Sequence, residues 1–132
     1  MRSLVRDFWN RLLGDRGERA AARFLRSRGL RVLARGYRTR HGEIDLIARD
    51  GDVLVFVEVK SRRHGVPAEA VTDEKQRRIT LAALHFLRKH GLLEVRCRFD
   101  IVAIVWPDER GEPQIEHIPN AFEAVGRWQM FR

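Results

Sequence analysis

The apolar positions of this chain change their period along its length, and each change predicts a different element. Residues 1–14 carry apolar side chains every three or four positions, which indicates an amphipathic segment that packs on its own domain or docks elsewhere. A helix is predicted from Asp15 to Arg28, because Asp15 can cap a helix and Glu18 stands three residues later. Arg31 to Tyr37 then favours a short strand, so the chain opens as helix followed by strand.

A β-hairpin is predicted in the middle of the chain. Two apolar runs, Glu43 to Arg49 and Asp52 to Lys60, flank Asp50-Gly51, a pair that suits a tight turn. With Asp50 and Gly51 as the turn residues, paired residues have numbers that sum to 101. Val53 to Val57 is apolar at every position, so the second strand should be buried on both faces, inside the sheet.

The second half of the chain predicts a helix and two more strands. Thr72 can cap a helix that ends before Gly91, with an apolar inward stripe. Phe99 to Trp106 is a β-branched run, and its connection through a helix predicts a strand parallel to the hairpin strand. Gln114 to Ile118 favours a short edge strand, and Ala121 to Arg132 a final small helix or tail. The pattern predicts an α/β fold with a mixed sheet, as one domain over residues 15–132.

Charge and composition limit the function classes. The 26 Lys and Arg exceed the 18 Asp and Glu and give a formal net charge of +8, which favours a polyanionic partner but also occurs in basic proteins without one. No apolar run is long enough for a transmembrane helix or resembles a signal peptide, so we expect a cytoplasmic protein with no membrane partner. Cys97 is the single cysteine and cannot form an internal disulfide.

Charged residues collect on one face of the predicted hairpin. Because side chains alternate across a strand, Phe56, Glu58 and Lys60 share a face. The predicted register sets Asp45 opposite Phe56 and Glu43 opposite Glu58, on that same face. Asp45 and Glu58 are then diagonal neighbours, with Cα atoms roughly 7–8 Å apart, a span that two carboxylates can close around one ion.

Crowded carboxylates on a mostly buried surface repel one another and lose hydration, and a divalent cation removes both problems. Oxygen ligands of this kind suit Mg²⁺ or Mn²⁺, which can also bind a phosphate oxygen. Lys60 would then stabilise charge on the phosphate or orient the attacking water during phosphodiester hydrolysis. The alternative is that Glu58 and Lys60 form an ion pair where the strand enters solvent, with Asp45 and Glu43 as surface residues.

Three segments carry a resemblance to a known family: Gly42 to Ala48 (GEIDLIA), Phe56 to Arg62 (FVEVKSR) and Arg98 to Ala103 (RFDIVA). Together they resemble the YraN-like family of uncharacterised bacterial proteins over nearly the whole chain. That family is similar to the restriction-endonuclease-like nucleases, and in outline to archaeal-type Holliday junction resolvases. The resemblance implies a three-layer fold, a mixed sheet flanked by helices with an αβββαβ core. Its Asp, then Glu-x-Lys signature matches Asp45, Glu58 and Lys60.

The resemblance also implies further site residues. A glutamate on the first helix completes the metal site of the resolvases, and Glu18 matches it; otherwise Glu18 closes a capping box with Asp15. A glutamine on the helix after the Glu-x-Lys strand often lies near the active site, and Gln76 matches it; its alternative is simple exposure. Asp100 is expected to make a structural hydrogen bond. The implied metal ligands are Asp45, Glu58 and Glu18.

The leading hypothesis is a Mg²⁺- or Mn²⁺-dependent endonuclease, with DNA favoured over RNA and branched or damaged DNA as one substrate class. Five residues that flank the acidic site in sequence are candidate contacts to the nucleic-acid backbone: Arg38, Arg40, Arg62, Arg63 and Lys75. Two alternatives stay open, a non-catalytic nucleic-acid-binding module and a protein that docks through its N-terminus and its Trp128-Gln-Met-Phe tail. The sequence also leaves monomer and homodimer open.

Overall fold

The computed structural model describes residues 2–125, with side chains described from residue 14 onward. It contains two helices and five strands, in the order α1 (Arg2–Ser27), β1 (Arg31–Arg38), β2 (Glu43–Asp50), β3 (Val53–Arg63), α2 (Asp73–Lys89), β4 (Cys97–Trp106) and β5 (Gln114–Phe122). None of the helices in this part of the chain is both long and apolar enough to cross a membrane.

The five strands form one mixed sheet in the order β1-β2-β3-β4-β5. β3 and β4 are parallel, and the other three neighbouring pairs are antiparallel. The predicted α/β class, the mixed sheet and the interior position of β3 are therefore confirmed. β5 is an edge strand, as expected, but it extends to Phe122, so Ala121 and Phe122 belong to a strand and the predicted helix or tail begins too early. Residues 126–132 lie outside the described part.

The helices cover opposite faces of the sheet and give it three layers. α2 lies on the face that carries Phe56, whose ring packs against Phe86 with centroids 6.0 Å apart. Thr72 caps this helix as predicted, because its hydroxyl accepts a hydrogen bond from the Lys75 backbone N–H. α1 lies on the other face, where Ala20 to Ala22 and Leu25 pack on Val55 and Val57.

The predicted start of the first helix at Asp15 is wrong. α1 runs without interruption from Arg2 to Ser27, so Asp15 lies in its interior and cannot cap an N-terminus. Asp15 and Glu18 have the spacing of a capping box, but that spacing also occurs inside a helix, and Gly14 and Gly17 each cost the helix only about 1 kcal/mol relative to alanine. Packing of α1 on the sheet outweighs that cost, and a capping-box role for Glu18 with Asp15 is excluded.

The hairpin forms, but its turn lies one residue later than predicted. Gly51 and Asp52 are the turn residues, with Asp50 paired to Val53, and partner numbers sum to 103 rather than 101. Gly51 has a φ of 58°, a conformation that glycine adopts without strain, and this position sets the turn. The slip moves every partner by two residues, which preserves the facing of the paired side chains. Alternation breaks beyond the last pair, because Ile44 packs in the core under α2 whereas Leu46 packs in the core under α1.

Gly17 allows α1 to approach β3 closely. A Cβ atom at this position would lie 2.9 Å from the Ser61 Cβ atom, and the Ser61 hydroxyl is held by a 2.6 Å hydrogen bond from the Trp106 indole N–H. Gly14, three residues earlier, has open space around its Cα atom. The two glycines therefore test helix propensity and helix packing separately.

We expect Gly14→Ala to raise the free energy of unfolding by about 1 kcal/mol, because alanine favours the helix. Gly17→Ala gains the same propensity but forces α1 away from Ser61, and overpacking of this kind costs about 1–3 kcal/mol. Urea denaturation followed by circular dichroism measures both. Equal stabilisation of the two variants would show that α1 does not depend on close contact with β3.

Candidate active site

The candidate site lies where β2 and β3 separate. The backbone pairing between these strands ends at Leu46 and Val57, just before Asp45. Here the Asp45 Oδ2 atom accepts a hydrogen bond of 2.8 Å from the Val59 backbone N–H. The carboxylate thus takes the place of a backbone carbonyl and fixes Asp45 against β3.

Glu58 is the buried acid of this site, with a side chain that is only 5% exposed. Its Oε1 atom lies 2.7 Å from the Lys75 ammonium and 3.9 Å from the Lys60 ammonium. Lys60 is therefore beside Glu58, as the strand alternation predicted. Lys75 comes from the first turn of α2, and its contact with Glu58 is a feature that the sequence reasoning missed.

Three further carboxylate oxygens lie close together beside Glu58. One oxygen from each of Glu18, Glu43 and Asp45 lies within 4.8 Å of the other two. Glu18 reaches this point because it follows Gly17, the residue at which α1 touches β3. Its Oε1 atom is buried and has no hydrogen-bond partner among the described residues. The structure therefore brings Glu18, Asp45 and Glu58 to one place and adds Glu43 to them.

The crowding of acids changes their proton affinities. Burial, together with the charge of Glu58, raises the pKa of Asp45 to about 8. Burial and the charge of Glu43 also raise the pKa of Glu18, against the opposing charges of Arg35 and Arg38. Without a bound cation, the fold therefore favours the protonated, uncharged form of both carboxyls.

The two lysines respond in opposite directions. Burial and the neighbouring Lys75 ammonium lower the pKa of Lys60 below its usual value. Burial also disfavours the charge of Lys75, but the hydrogen bond and the charge of Glu58 outweigh it and raise the pKa of Lys75. Lys75 is therefore the principal counter-ion of Glu58.

The donor set fits a hard divalent cation. Glu18, Glu43 and Asp45 offer only carboxylate oxygens, which suit Mg²⁺ or Mn²⁺ better than softer metals. The unpaired buried oxygen of Glu18 is the specific sign, because such a group costs free energy unless something binds it. Glu58 adjoins this trio through Asp45, so the predicted ligands Asp45, Glu58 and Glu18 lie together with Glu43.

A cleft of about 910 Å³ opens onto three of these acids, Glu43, Asp45 and Glu58. One wall is the β1–β2 loop with Arg38 and Arg40, and the other is the start of α2 with Lys75 and Arg78. The walls are joined at Gly42, where a Cβ atom would lie 2.7 Å from the Arg78 carbonyl oxygen. Three of the five candidate backbone contacts, Arg38, Arg40 and Lys75, thus line the cleft.

The other predicted residues lie elsewhere. The Arg62 guanidinium donates to the Val66 carbonyl oxygen at 2.6 Å, and Arg63 lines a separate depression beside Trp106. The Gln76 amide donates to the Val71 carbonyl oxygen at 2.9 Å and is not among the residues that line the cleft. Roles for these three residues in binding or catalysis stay predictions.

Asp100 makes the structural hydrogen bonds that were expected. It is fully buried on β4 and accepts bonds from the Arg98 guanidinium at 3.0 Å, the Asn120 backbone N–H at 2.8 Å and the His117 ring at 2.7 Å. Asn120 has a φ of 53°, and its bond to Asp100 fixes this unusual turn of β5. Asp100 therefore ties β5 to β4, away from the acidic cleft.

Comparison with known proteins identifies the family. The model of the uncharacterised protein family UPF0102 matches residues 17–104. The chain is a member of this family. A UPF0102 protein of Anaeromyxobacter dehalogenans is 51% identical over 118 residues, 87% of each chain. A UPF0102 protein of Rhodococcus jostii is 53% identical over 116 residues, 86% of this chain and 98% of the relative.

The UPF0102 segment includes every carboxylate of the candidate site. It begins at Gly17, immediately before Glu18, and contains Asp45, Glu58 and both lysines. Most of α1, up to residue 16, precedes the matched segment, and all of β5 follows it. The family assignment thus covers the acids, the lysines and both cleft walls.

A pH titration of stability tests the buried charge of Asp45. In metal-free protein, the unfolded state loses the Asp45 proton near pH 4, whereas the folded state keeps it to about pH 8. The folded state therefore binds more protons between these values, and stability falls with rising pH by up to about 1.4 kcal/mol per unit.

We expect Asp45→Asn to flatten this decline and to make the protein more stable than the wild type at pH 8. The amide keeps an oxygen that can accept the Val59 N–H and carries no charge. Urea unfolding with chelator from pH 5 to 8 measures the effect, with exposed Glu109→Gln as the control. Parallel stability curves for wild type and Asp45→Asn would contradict the assignment.

Proposed function

We propose that this protein is a metal-dependent endonuclease that hydrolyses phosphodiester bonds in DNA. The observation that carries the proposal is the buried, unpaired Glu18 oxygen within 4.8 Å of oxygens of Glu43 and Asp45. Glu43 is exposed, but Glu18 and Asp45 are half-buried beside it, and partly buried like charges destabilise a fold unless a cation or a proton neutralises them. Glu43, Asp45 and Glu58 line a cleft with basic residues on both walls, which favours a phosphate-containing substrate.

The acids and Lys60 would have different roles in the reaction. Glu18, Glu43, Asp45 and Glu58 are the candidate ligands of Mg²⁺ or Mn²⁺. Such an ion, when bound, would polarise the phosphate and lower the pKa of an attacking water. The Lys60 ammonium lies beside Glu58 at the rim of these acids, where it can stabilise charge that develops on the phosphate oxygens or orient the water.

The cleft walls would hold the substrate backbone. Arg38, Arg40 and Arg78 line the cleft above the acids. Arginine pairs with phosphate through two parallel hydrogen bonds, so these side chains suit the backbone on either side of the cleaved bond. Contacts of this kind position a strand without reading its sequence, which suits an enzyme that recognises DNA shape.

A non-catalytic binding module is the second candidate, and the same observation argues against it. Binding to phosphate needs only the basic walls, and buried acids beneath them weaken that binding by repulsion. A docking function for the N-terminus and the Trp128-Gln-Met-Phe tail involves side chains outside the described part. The endonuclease therefore explains features that the alternatives leave without a role.

Cleavage of labelled DNA tests the proposal. Four-way, duplex and single-stranded DNA are incubated with protein and Mn²⁺, Mg²⁺ or chelator. We expect metal-dependent cleavage that falls about 100-fold or more in Glu58→Gln and Lys60→Met, because each removes a group from the reacting centre. Exposed Glu116→Gln and Lys89→Met serve as matched controls.

DNA binding by the two inactive variants, measured with chelator present, should stay within a few-fold of the wild type. Absence of cleavage in the wild type with every DNA and both ions would overturn the proposal. Cleavage that both substitutions leave unchanged would overturn it equally, because the activity would then come from another site or from a contaminant.

Calorimetric titration with Mn²⁺ tests the role of Lys75 separately from activity. Because the Lys75 ammonium neutralises Glu58 at 2.7 Å, it should weaken cation binding to the neighbouring acids. Lys75→Met should therefore lower the Kd for Mn²⁺, by about tenfold, equivalent to about 1.4 kcal/mol. Lys89→Met, at the other end of α2, is the control. An unchanged or higher Kd in Lys75→Met would show that Lys75 does not compete with the ion.

A further inference from the structure

Four arginines form a ridge on the outer face of α1. Arg16, Arg19, Arg23 and Arg26 recur every three or four residues, so they share one side of the helix, and all four are exposed. The opposite side carries Ala21 and Leu25, which are fully buried against the sheet. This arginine ridge is about 15 Å long, at 1.5 Å per residue.

The arginine ridge borders a depression of about 950 Å³. Arg35 of β1 and the Trp106 ring also line it, and a single carboxylate, that of Glu112, does so. Five guanidinium groups thus face one acidic group. A surface with this excess of positive charge attracts a polyanion, which can meet several guanidinium groups at once, more strongly than it attracts a single acidic side chain.

The guanidinium groups of this surface are free to bind. Among residues 14–125, the arginine ion pairs involve Arg38, Arg77, Arg78 and Arg98, and none involves the ridge or Arg35. Arg16 instead lies 4.3 Å from the centre of the Trp106 ring, in a cation–π contact.

That contact fixes one guanidinium group in place. The Trp106 ring is itself held by its hydrogen bond to the Ser61 hydroxyl. A guanidinium stacked on a fixed ring keeps its N–H groups at its edges, where they can donate to phosphate oxygens. Arg16 is therefore oriented before any ligand binds.

The ridge is separate from the acidic cleft but adjoins it. The cleft lies between the β1–β2 loop and α2, whereas the ridge lies on the α1 layer. Two elements link them. Arg35 lines the depression and pairs with Leu46, the residue after Asp45. Arg19 of the ridge directly follows Glu18 on α1. A nucleic acid in the depression would thus continue towards the carboxylates.

We propose that the arginine ridge, together with Arg35, is a docking surface for the sugar–phosphate backbone of duplex DNA outside the cleavage site. Its length matches about four base-pair steps of 3.4 Å, enough for several phosphates of one strand. The five guanidinium groups are hydrogen-bond donors, which match the acceptor oxygens of successive phosphates, and phosphate contacts carry no sequence information. The inference rests on the proposed action on DNA and supplies that enzyme with a second contact beyond its cleft.

Fluorescence anisotropy with a labelled 20-base-pair duplex tests the proposal, using the full-length protein and chelator so that no cleavage occurs. The triple variant Arg19→Gln, Arg23→Gln, Arg26→Gln should raise the Kd about tenfold or more at 0.1 M salt. It should also reduce the slope of log K against log salt by about 2–3, because each lost phosphate contact removes about 0.9.

The control is a second triple variant with the same loss of charge: Arg31→Gln, Arg49→Gln, Arg96→Gln. These exposed arginines lie at the hairpin-turn end of the sheet and line neither the cleft nor the depression. Its Kd should change less than about threefold, since net charge acts weakly at a distance in salt. Replacement of the ridge arginines by lysine should restore part of the affinity, and circular dichroism checks that all variants are folded.

Equal effects of the two triple variants on the Kd would overturn the proposal, because net charge alone would then explain binding. Tighter binding to single-stranded DNA than to duplex, or equal ridge-dependent binding to phosphatidylserine vesicles, would overturn the choice of ligand. Failure here is distinct from failure of the proposed function. Ridge variants that bind normally while cleavage still requires Glu58 reject only the ridge, whereas ridge-dependent binding without any cleavage rejects only the enzyme.

Discussion

The hydrogen bond from the Val59 backbone N–H to the Asp45 carboxylate is the interaction on which the candidate site depends. It ends the regular ladder between β2 and β3 and replaces the next carbonyl acceptor with a charged side chain. The two strands can then separate without leaving a buried donor unpaired. Glu18, Glu43 and Glu58 lie around Asp45 at the gap that results. Without this gap, the acids would lie on a continuous sheet.

Such a cluster of acids lowers the stability of the fold when nothing is bound to it. Burial and mutual repulsion raise the pKa values of Asp45 and Glu18, and the Glu18 oxygen has no donor. Two contributions offset this loss of stability. The ammonium groups of Lys60 and Lys75 lie beside Glu58, and apolar side chains pack on both faces of the sheet. Strain of this kind concentrates at functional sites, where a ligand completes what the fold leaves unsatisfied.

Function follows from this arrangement and not from the three-layer fold, which can carry many activities. The UPF0102 family assignment identifies the relatives of the chain but gives no activity, so the chemistry has to be inferred from the site. Acids beneath basic cleft walls are suited to a phosphodiester, and a separate row of unpaired arginines on α1 extends the basic surface beyond one bond. The two proposals, an endonuclease site and a second docking surface, therefore rest on two separate basic surfaces of the chain.

Local sequence signals determined most of the fold. Alternation placed both hairpin strands, and Thr72 placed the start of α2, because a strand face and a helix cap each depend on a few adjacent residues. The same alternation put Asp45, Glu58 and Lys60 on one face. The one-residue error in the turn does not alter the facing of the paired residues, since it shifts every partner by two. Alternation fails at Asp45, however, because Ile44 and Leu46 on either side of it pack on opposite faces.

Tertiary packing decided the rest. Asp15 and Glu18 favoured a helix start in sequence, but α1 is continuous through them and approaches β3 closely at Gly17. The position of Glu18 beside Glu43, and of Lys75 on Glu58, depends on how the two helices lie across the sheet. Residues far apart in the chain come into contact only when the helices pack on the sheet. A local pattern of apolar and polar positions does not determine the distance between such residues.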